Sequence, residues 1–452
     1  MQDLSYLWIY YAETDIFVGE MNEIIKKSAI VFFIMALLTG CGQDDSIKET
    51  EQKTDPVVSH VSDIELTSAE LEMVNSSNEF AFNLFRQISD SATDIDAKSE
   101  IVSPLSITYA LGMLNNGAAG NTRTQINEVL GFGDTGADSI NAFCYKMIKT
   151  APELDSITKV MIANNIYLNS NYSLKEDFVQ KVNHYYDAYP QVRDFHDPQT
   201  LAEINQWASD HTEQMIDKVL DKDEFNENAV SYLLNALYFK GSWAFKFDKT
   251  ETIEERFYHP GDTQEVTKRP MMQMHTAIEY AINNEFEAIH LPYGNGSFQM
   301  TVLLPRIKEG EEPGKLPVVP TLRIWQELNR SMRPREVILK LPRFETESNM
   351  DLIEIMKKLG MTDAFTADAD FSNLCNWPPV KIGLMKQVAK IIVDEEGSEA
   401  AAVTIIGMEV TMLPDGPQPH SYIHFNANHP FIYVITEKKT GAIFFIGRYT
   451  GF

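Results

Sequence analysis

An α+β fold is what this sequence predicts, on three observations. Helical periodicity crowds into the chain soon after residue 70, and apolar β-rich runs crowd in later. The two never alternate in the regular way that builds a parallel α/β sheet. No internal repeat and no compositional break divides residues 67–452, so that span reads as a single domain. With 452 residues, 44% of them hydrophobic and 11% aromatic, the chain has ample material for a large core. The net charge of −27 excludes nucleic acid as a partner, because a phosphate backbone requires a basic face.

Residues 1–41 read as an extension and a processing signal. Lys26 and Lys27 precede an apolar run from Ser28 to Leu38, too short to span a bilayer but suited to a signal h-region. Its end, Leu38-Thr39-Gly40-Cys41, resembles the bacterial lipobox. That resemblance implies a lipid on Cys41, which becomes the mature first residue, and an envelope lipoprotein on the outer membrane, facing periplasm or cell surface. Gln43-Asp44-Asp45-Ser46 has a short resemblance to a surface-export signal. Residues 42–66, rich in Asp, Glu, Ser, Lys and Thr, read as a flexible tether.

In chain order, Phe80, Ala81, Leu84, Phe85 and Ile88 recur at helical spacing and predict a helix from Ser77 to Ile88. Ser103 is placed as an N-cap and Pro104 at the first position of a nearly all-apolar helix through Leu114, which must be central. A third helix ends at Leu130. The Gly131-Phe-Gly133-Asp-Thr-Gly136 that follows matches a dinucleotide fingerprint by letter, but it follows a helix and so reads as a helix stop. Val160 to Leu168 predicts a strand, Ser173 to Glu176 a capping box opening a helix through Tyr186, and residues 201–220 a further helix with Ile204, Trp207, His211, Met215 and Val219 on one face. Tyr232 to Trp243 predicts a buried strand with one amide, Asn235, in its apolar middle; that amide must find partners. Strands follow at Phe298 to Leu304, Val337 to Leu341 and Gln387 to Val393, with a helix at Leu352 to Leu359. A hairpin of Pro430 to Ile435 and Ala442 to Tyr449 closes the chain.

Nothing marks an enzyme. The chain has no G-x-S-x-G, H-E-x-x-H or P-loop, and neither a metal nor a cofactor is expected. Cys41, Cys144 and Cys375 are too scattered for a disulfide framework or zinc site, and the last two read as buried thiols. His211 and His290 read as structural, since neither has a nucleophile nearby in sequence.

Ser103-Pro-Leu-Ser106-Ile, Asn116-Gly-Ala-Ala-Gly-Asn-Thr, Asn235-Ala-Leu-Tyr-Phe-Lys-Gly-Ser-Trp243, Met271 to Met274, Leu291-Pro-Tyr, Leu341-Pro-Arg-Phe, Asp394 to Ala402, Phe425-Asn-Ala-Asn-His-Pro-Phe431 and Phe445-Ile-Gly-Arg448 occur together in this order. In them the chain resembles the serpins from about residue 70 to its end. The resemblance implies three β-sheets, eight or nine helices and an exposed reactive-centre loop from Glu395 to Pro414. It also implies a suicide substrate: a serine endopeptidase, or a cysteine one, attacks the loop, an acyl-enzyme forms, and the cut loop inserts into the main sheet and distorts the protease. The hinge is then Glu395, Glu396, Gly397, Ser398, Glu399, Ala400, Ala401, Ala402, Val403 and Thr404. The region that opens for insertion is Ser103, Ser106, Asn235 and Gln387, with Trp243 at its upper end. Gln387 stands where many serpins carry a histidine bonded to the equivalents of Ser103 and Asn235, and glutamine can supply those bonds.

The loop itself favours insertion. Ser398, Ala400, Ala402, Thr404, Ile406, Met408 and Val410 form one alternating face, all small or apolar, whereas Glu399 and Glu409 lie on the other. New ladder hydrogen bonds at ~0.5–1.5 kcal/mol each sum to the order of 10 kcal/mol, enough to deform a protease. Family spacing places the scissile bond at Thr411–Met412, with Met408, Val410 and Leu413 as further specificity residues. Pro414, Pro417 and Pro419 end what a central strand can hold. These residues suit elastase-, subtilisin- or papain-like proteases and disfavour trypsin-like ones; the protein itself is expected to be a monomer. The alternative is a non-inhibitory serpin acting as a surface binding module, but such members carry bulky or proline-bearing hinges, unlike this one.

Overall fold

Two hydrogen-bonded sheets share one buried helix. The computed structural model describes residues 63–90, 97–260, 266–311, 313–375, 380–398 and 422–452, all within the unit His60–Phe452. The lipobox cysteine Cys41 and the loop from Glu399 to Leu413 lie outside them. Among the described residues there are eight α-helices and a nine-stranded and a six-stranded sheet. The three sheets implied by resemblance are bonded here as two. The reason is the long strand Val266–Ile282, which pairs with Ile253–Tyr258 through its first half, with Arg333–Pro342 through its middle and with Phe286–Tyr293 at its end.

The six-stranded sheet runs in the order Phe344–Asp351, Leu384–Val393, Ser231–Ser242, Lys159–Asn169, Gln191–Arg193, with the two-residue strand Gly397–Ser398 also paired to Ser231–Ser242. Helix Pro104–Gly117 lies between this sheet and the strand Ile443–Tyr449 of the larger one, and every one of its residues is buried. Its nearly all-apolar sequence through Leu114 predicts that position. Ser103 caps it by accepting from the Ser106 amide at 3.2 Å, with Pro104 at the first turn. Gly131 ends the next helix, Gly120–Leu130, in the left-handed conformation, the helix stop read from the sequence.

Three expectations change. The first helix begins at Ser68, nine residues' worth of sequence before the apolar periodicity, because Thr67 and Glu70 form a capping box. Its polar middle is satisfied by other elements: Asn78 donates to the Gly441 carbonyl at 2.9 Å and accepts from the Ile443 amide at 3.0 Å. The helix expected from Ser173 starts at Glu176, with Lys175 as N-cap and no side-chain cap bond. The helix expected over 201–220 spans Thr200–His211 only. Glu213 and Gln214 take positive φ angles of 50° and 65°, and Asn205 turns the chain back by accepting from the Val219 and Leu220 amides, both at 2.9 Å.

The closing hairpin pairs Phe431–Glu437 with Ile443–Tyr449. Gly447 is needed there, because a Cβ would strike the Tyr433 ring and lie 2.7 Å from the Glu100 carbonyl oxygen. Gly447→Ala is expected to lower unfolding free energy by about 1–3 kcal/mol, read as a lower urea midpoint with an unchanged slope.

Candidate functional site

Strands Ser231–Ser242 and Leu384–Val393 are parallel neighbours, and their register sets Gln387 beside Asn235. On its other side Asn235 faces Asn164 of the antiparallel strand Lys159–Asn169. The start of helix Pro104–Gly117 lies against the same point, and a polar network joins all three strands to it. Gln387 Oε1 accepts from the Ser103 amide at 2.9 Å, while Gln387 Nε2 donates to the Ser103 carbonyl at 3.1 Å and to Asn235 Oδ1 at 2.5 Å. Asn235 Nδ2 donates to Ser106 Oγ and, at 2.6 Å, to Asn164 Oδ1. Ser103, Ser106, Asn164, Asn235 and Gln387 are all buried.

The sequence therefore brings its four named residues to one place, and Asn164 joins them unforeseen. Its signal was faint: one of two adjacent amides, Asn164-Asn165, in an otherwise apolar strand. None of the five is ionisable near neutrality. Opening of this seam is expected to be flat between pH 6 and 7.5, and Gln387→His to introduce a pH dependence there. Rates of cleavage-induced stabilisation across that range check both, and a steep slope in the parent chain counts against the reading.

At the upper end of the same strands, Trp243 gathers the start of the hinge. Its Nε1 donates to the Asp394 carbonyl at 2.8 Å, its backbone amide to Glu396 at 2.9 Å, and its ring stacks on Tyr293 at 4.4 Å. Tyr293 Oη lies 3.1 Å from Ser398 Oγ, and Ser398 is fully buried. Asp394 Oδ1 accepts from the amides of Glu396 and Gly397, at 2.8 and 3.2 Å, which folds the backbone into a tight turn. Gly397 follows at a φ of 143°, a conformation closed to other residues. A Cβ there would also meet the Gly241 carbonyl and lie 2.7 Å from the Trp243 nitrogen.

Glu395 is 1% exposed, yet charged. Burial pushes its carboxyl up, but bonds from Arg343, with Nε at 3.1 Å, and from Thr252 Oγ1 at 2.6 Å outweigh that and hold it below the usual carboxylate range. Glu396, more open, is bonded by Lys246 Nζ at 2.6 Å and Lys249 Nζ at 3.0 Å, which lower its pKa. Arg343, Thr252, Lys246 and Tyr293 were not singled out from sequence. Arg343 lies within the Leu341-Pro-Arg-Phe run and Tyr293 within Leu291-Pro-Tyr, but nothing local says that their partners are Glu395 and Ser398.

Because the folded carboxyl of Glu395 titrates below its unfolded counterpart, its contribution is present above the unfolded pKa and fades as pH falls through the folded one. Glu395→Gln is therefore expected to cost about 1–3 kcal/mol at pH 7, Arg343 being half exposed, and progressively less below the ordinary carboxylate pKa. Urea unfolding at pH 7 and pH 4 checks this.

Of the other predicted positions, Glu399, Ala400, Ala401, Ala402, Val403, Thr404, Met408, Val410, Thr411, Met412 and Leu413 lie outside the described residues. Cys144 and Cys375 are buried, as read from the sequence. His290 is held by Glu279 at 2.9 Å and Asn329 at 3.0 Å. Among the described residues no acidic, histidine and cysteine cluster could hold a metal ion, and no helix is long and apolar enough to cross a membrane.

A family model described as "Serpin (serine protease inhibitor)" matches residues 75–451. The chain is a serpin. Human Serpin B3 is 30% identical over 396 residues, covering 83% of this chain and 98% of that one. An uncharacterized serpin-like protein of Methanosarcina mazei is 28% identical, covering 94% of this chain and 97% of its own length. The crystal structure of a thermophilic serpin, tengpin, in the native state matches with a TM-score of 0.74 at 27% identity, over 87% of this chain and 96% of that one. Human thyroxine-binding globulin, in complex with thyroxine, matches with a TM-score of 0.74 at 25% identity, over 84% of this chain and 98% of that one. The family's description names protease inhibition, whereas thyroxine-binding globulin is described by the ligand it binds.

Proposed function

We propose that this serpin is an inhibitor that traps serine endopeptidases, and cysteine ones of papain type, by acylation at Thr411–Met412 and insertion of the cut loop. The observation that carries the reading is the pairing of Gly397 with Ser242 and Ser398 with Gly241. It is antiparallel, the direction an inserted strand must take beside Ser231–Ser242, and it sits above the seam between that strand and its parallel neighbour Leu384–Val393.

Continued past Ser398, this register would set Ala400 opposite Phe239, Ala402 opposite Leu237, Thr404 opposite Asn235 and Ile406 opposite Leu233. Those partners, Asn235 apart, belong to the main core, while Leu234 and Ala236 belong to a separate cluster with Ile204 on the other face. Cross-strand partners share a face. The small and apolar set of the loop would thus enter the main core, and Thr404 would meet the polar network. Ser398, buried against Tyr293, is the first member of that set.

Anchoring by lipid at Cys41, an outer-membrane location and elastase-, subtilisin- or papain-like targets complete the proposal. They rest on the sequence of the leader and of the loop.

Mixing the chain with proteases of those three types is expected to give an SDS-stable covalent band, cut at Thr411–Met412 by mass spectrometry. Ala402→Glu, which would bury an unpaired carboxylate in the inserted strand, is expected to give cut serpin in place of complex. Cleavage without a complex for every protease, and no gain in thermal stability after the cut, would instead indicate a binding module.

A further inference from the structure

Beside the seam, with Asn164 of its polar network among the lining residues, a cavity of about 310 Å³ opens among helix Ala137–Thr150, strand Lys159–Asn169 and helix Thr200–His211. Its lining is about equally polar and apolar, with Met147, Ile162, Trp207 and Phe444 on the apolar side. Such a volume falls in the range of small-molecule sites.

Two polar features distinguish it. One lining residue, Tyr109, is 1% exposed, and its hydroxyl has no hydrogen-bond partner. Burial raises its pKa well above the usual phenol range, so the hydroxyl stays protonated. A buried hydroxyl left unpaired costs about 1–3 kcal/mol, which a ligand supplying a partner would recover. The second feature is at the exposed side, where Asp187 and His211 line the opening. His211 Nδ1 donates to the Trp207 carbonyl at 2.8 Å, which leaves Nε2 as the ring's other polar atom. Asp187 adds a carboxylate, and neither lysine nor arginine is among the lining residues. Lys149 is 3.5 Å from Asp187, and both are about half exposed, so the pair is weak. The opening therefore presents a carboxylate, and the interior the unpartnered Tyr109 hydroxyl, whose buried polar neighbours in the lining, Tyr186 and Asn164, are already bonded to Asn141 and Asn235.

We propose that this cavity binds a small aromatic amine bearing a hydroxyl, with the ring between Trp207 and the apolar wall, the hydroxyl paired with Tyr109, and the ammonium beside Asp187 and His211. The cavity shares Asn164 with the polar network, but ligand binding and protease trapping are read by separate measurements, and either can fail alone.

Calorimetric titration of the purified full chain with four probes tests it: tyramine, phenethylamine without the phenol, tyrosol without the charge, and 4-hydroxyphenylacetate with the opposite charge. Tyramine is expected to bind at one site, about five-fold more tightly than phenethylamine or tyrosol, and the anion most weakly. Tyr109→Phe is expected to abolish the preference for tyramine over phenethylamine without lowering thermal stability, since the deleted hydroxyl has no partner. Asp187→Asn, which suits the left-handed backbone there, with a φ of 52°, is expected to abolish the preference for tyramine over tyrosol. No saturable tyramine binding, tightest binding of the anion, or preferences unchanged in both variants would overturn the proposal.

Discussion

The parallel contact between Ser231–Ser242 and Leu384–Val393 is the constraint on which the rest of the structure depends. Parallel neighbours in one sheet cannot be joined by a tight turn, so sequence-distant segments must be brought side by side by the fold around them. Here the pairing is crossed at one point by Gln387 and Asn235, both bonded to the start of the buried helix Pro104–Gly117. A fully satisfied polar network in a buried sheet specifies register more sharply than apolar packing does. It also makes a local seam, because parting the strands there leaves several polar groups without partners at once.

The second organising point is the stem of the loop. Trp243 fixes Asp394 and Glu396 through their carbonyls, Arg343 fixes Glu395 through its side chain, and the turn at Gly397 admits no Cβ. These bonds hold the stem in place whatever happens further along. They also set the direction in which the chain leaves it, antiparallel to Ser231–Ser242. In the proposed inhibitory cycle the stem is thus a fixed end from which pairing extends, and the sheet needs to part only beyond it.

Much of the fold was legible because its signals are local. Ser103 and Pro104 announce a helix start, Gly131 a helix stop, and a nearly all-apolar run a central helix. The errors arose where local signals compete with tertiary ones. Ser173 and Glu176 have the letters of a capping box, but the backbone begins its helix later. The helix after Thr200 keeps its apolar spacing past His211, while Asn205 and two left-handed residues turn the chain away. No window of sequence contains those bonds.

The sequence by itself determined the class of fold, the family, the buried amide at Asn235 and the alternation from Ser398 onward, because periodicity, capping and motif spacing are properties of neighbouring residues. Only the tertiary structure decided which groups meet. That Gln387 satisfies Ser103 and Asn235 together, that Asn164 completes their network, that Arg343 is the partner of Glu395, and that Ser398 already pairs with Gly241 follow from contacts across tens to hundreds of residues. The physical reason is that a buried polar group demands a partner without specifying which one. The sequence states the demand, and the packing of strands and helices assigns the partner.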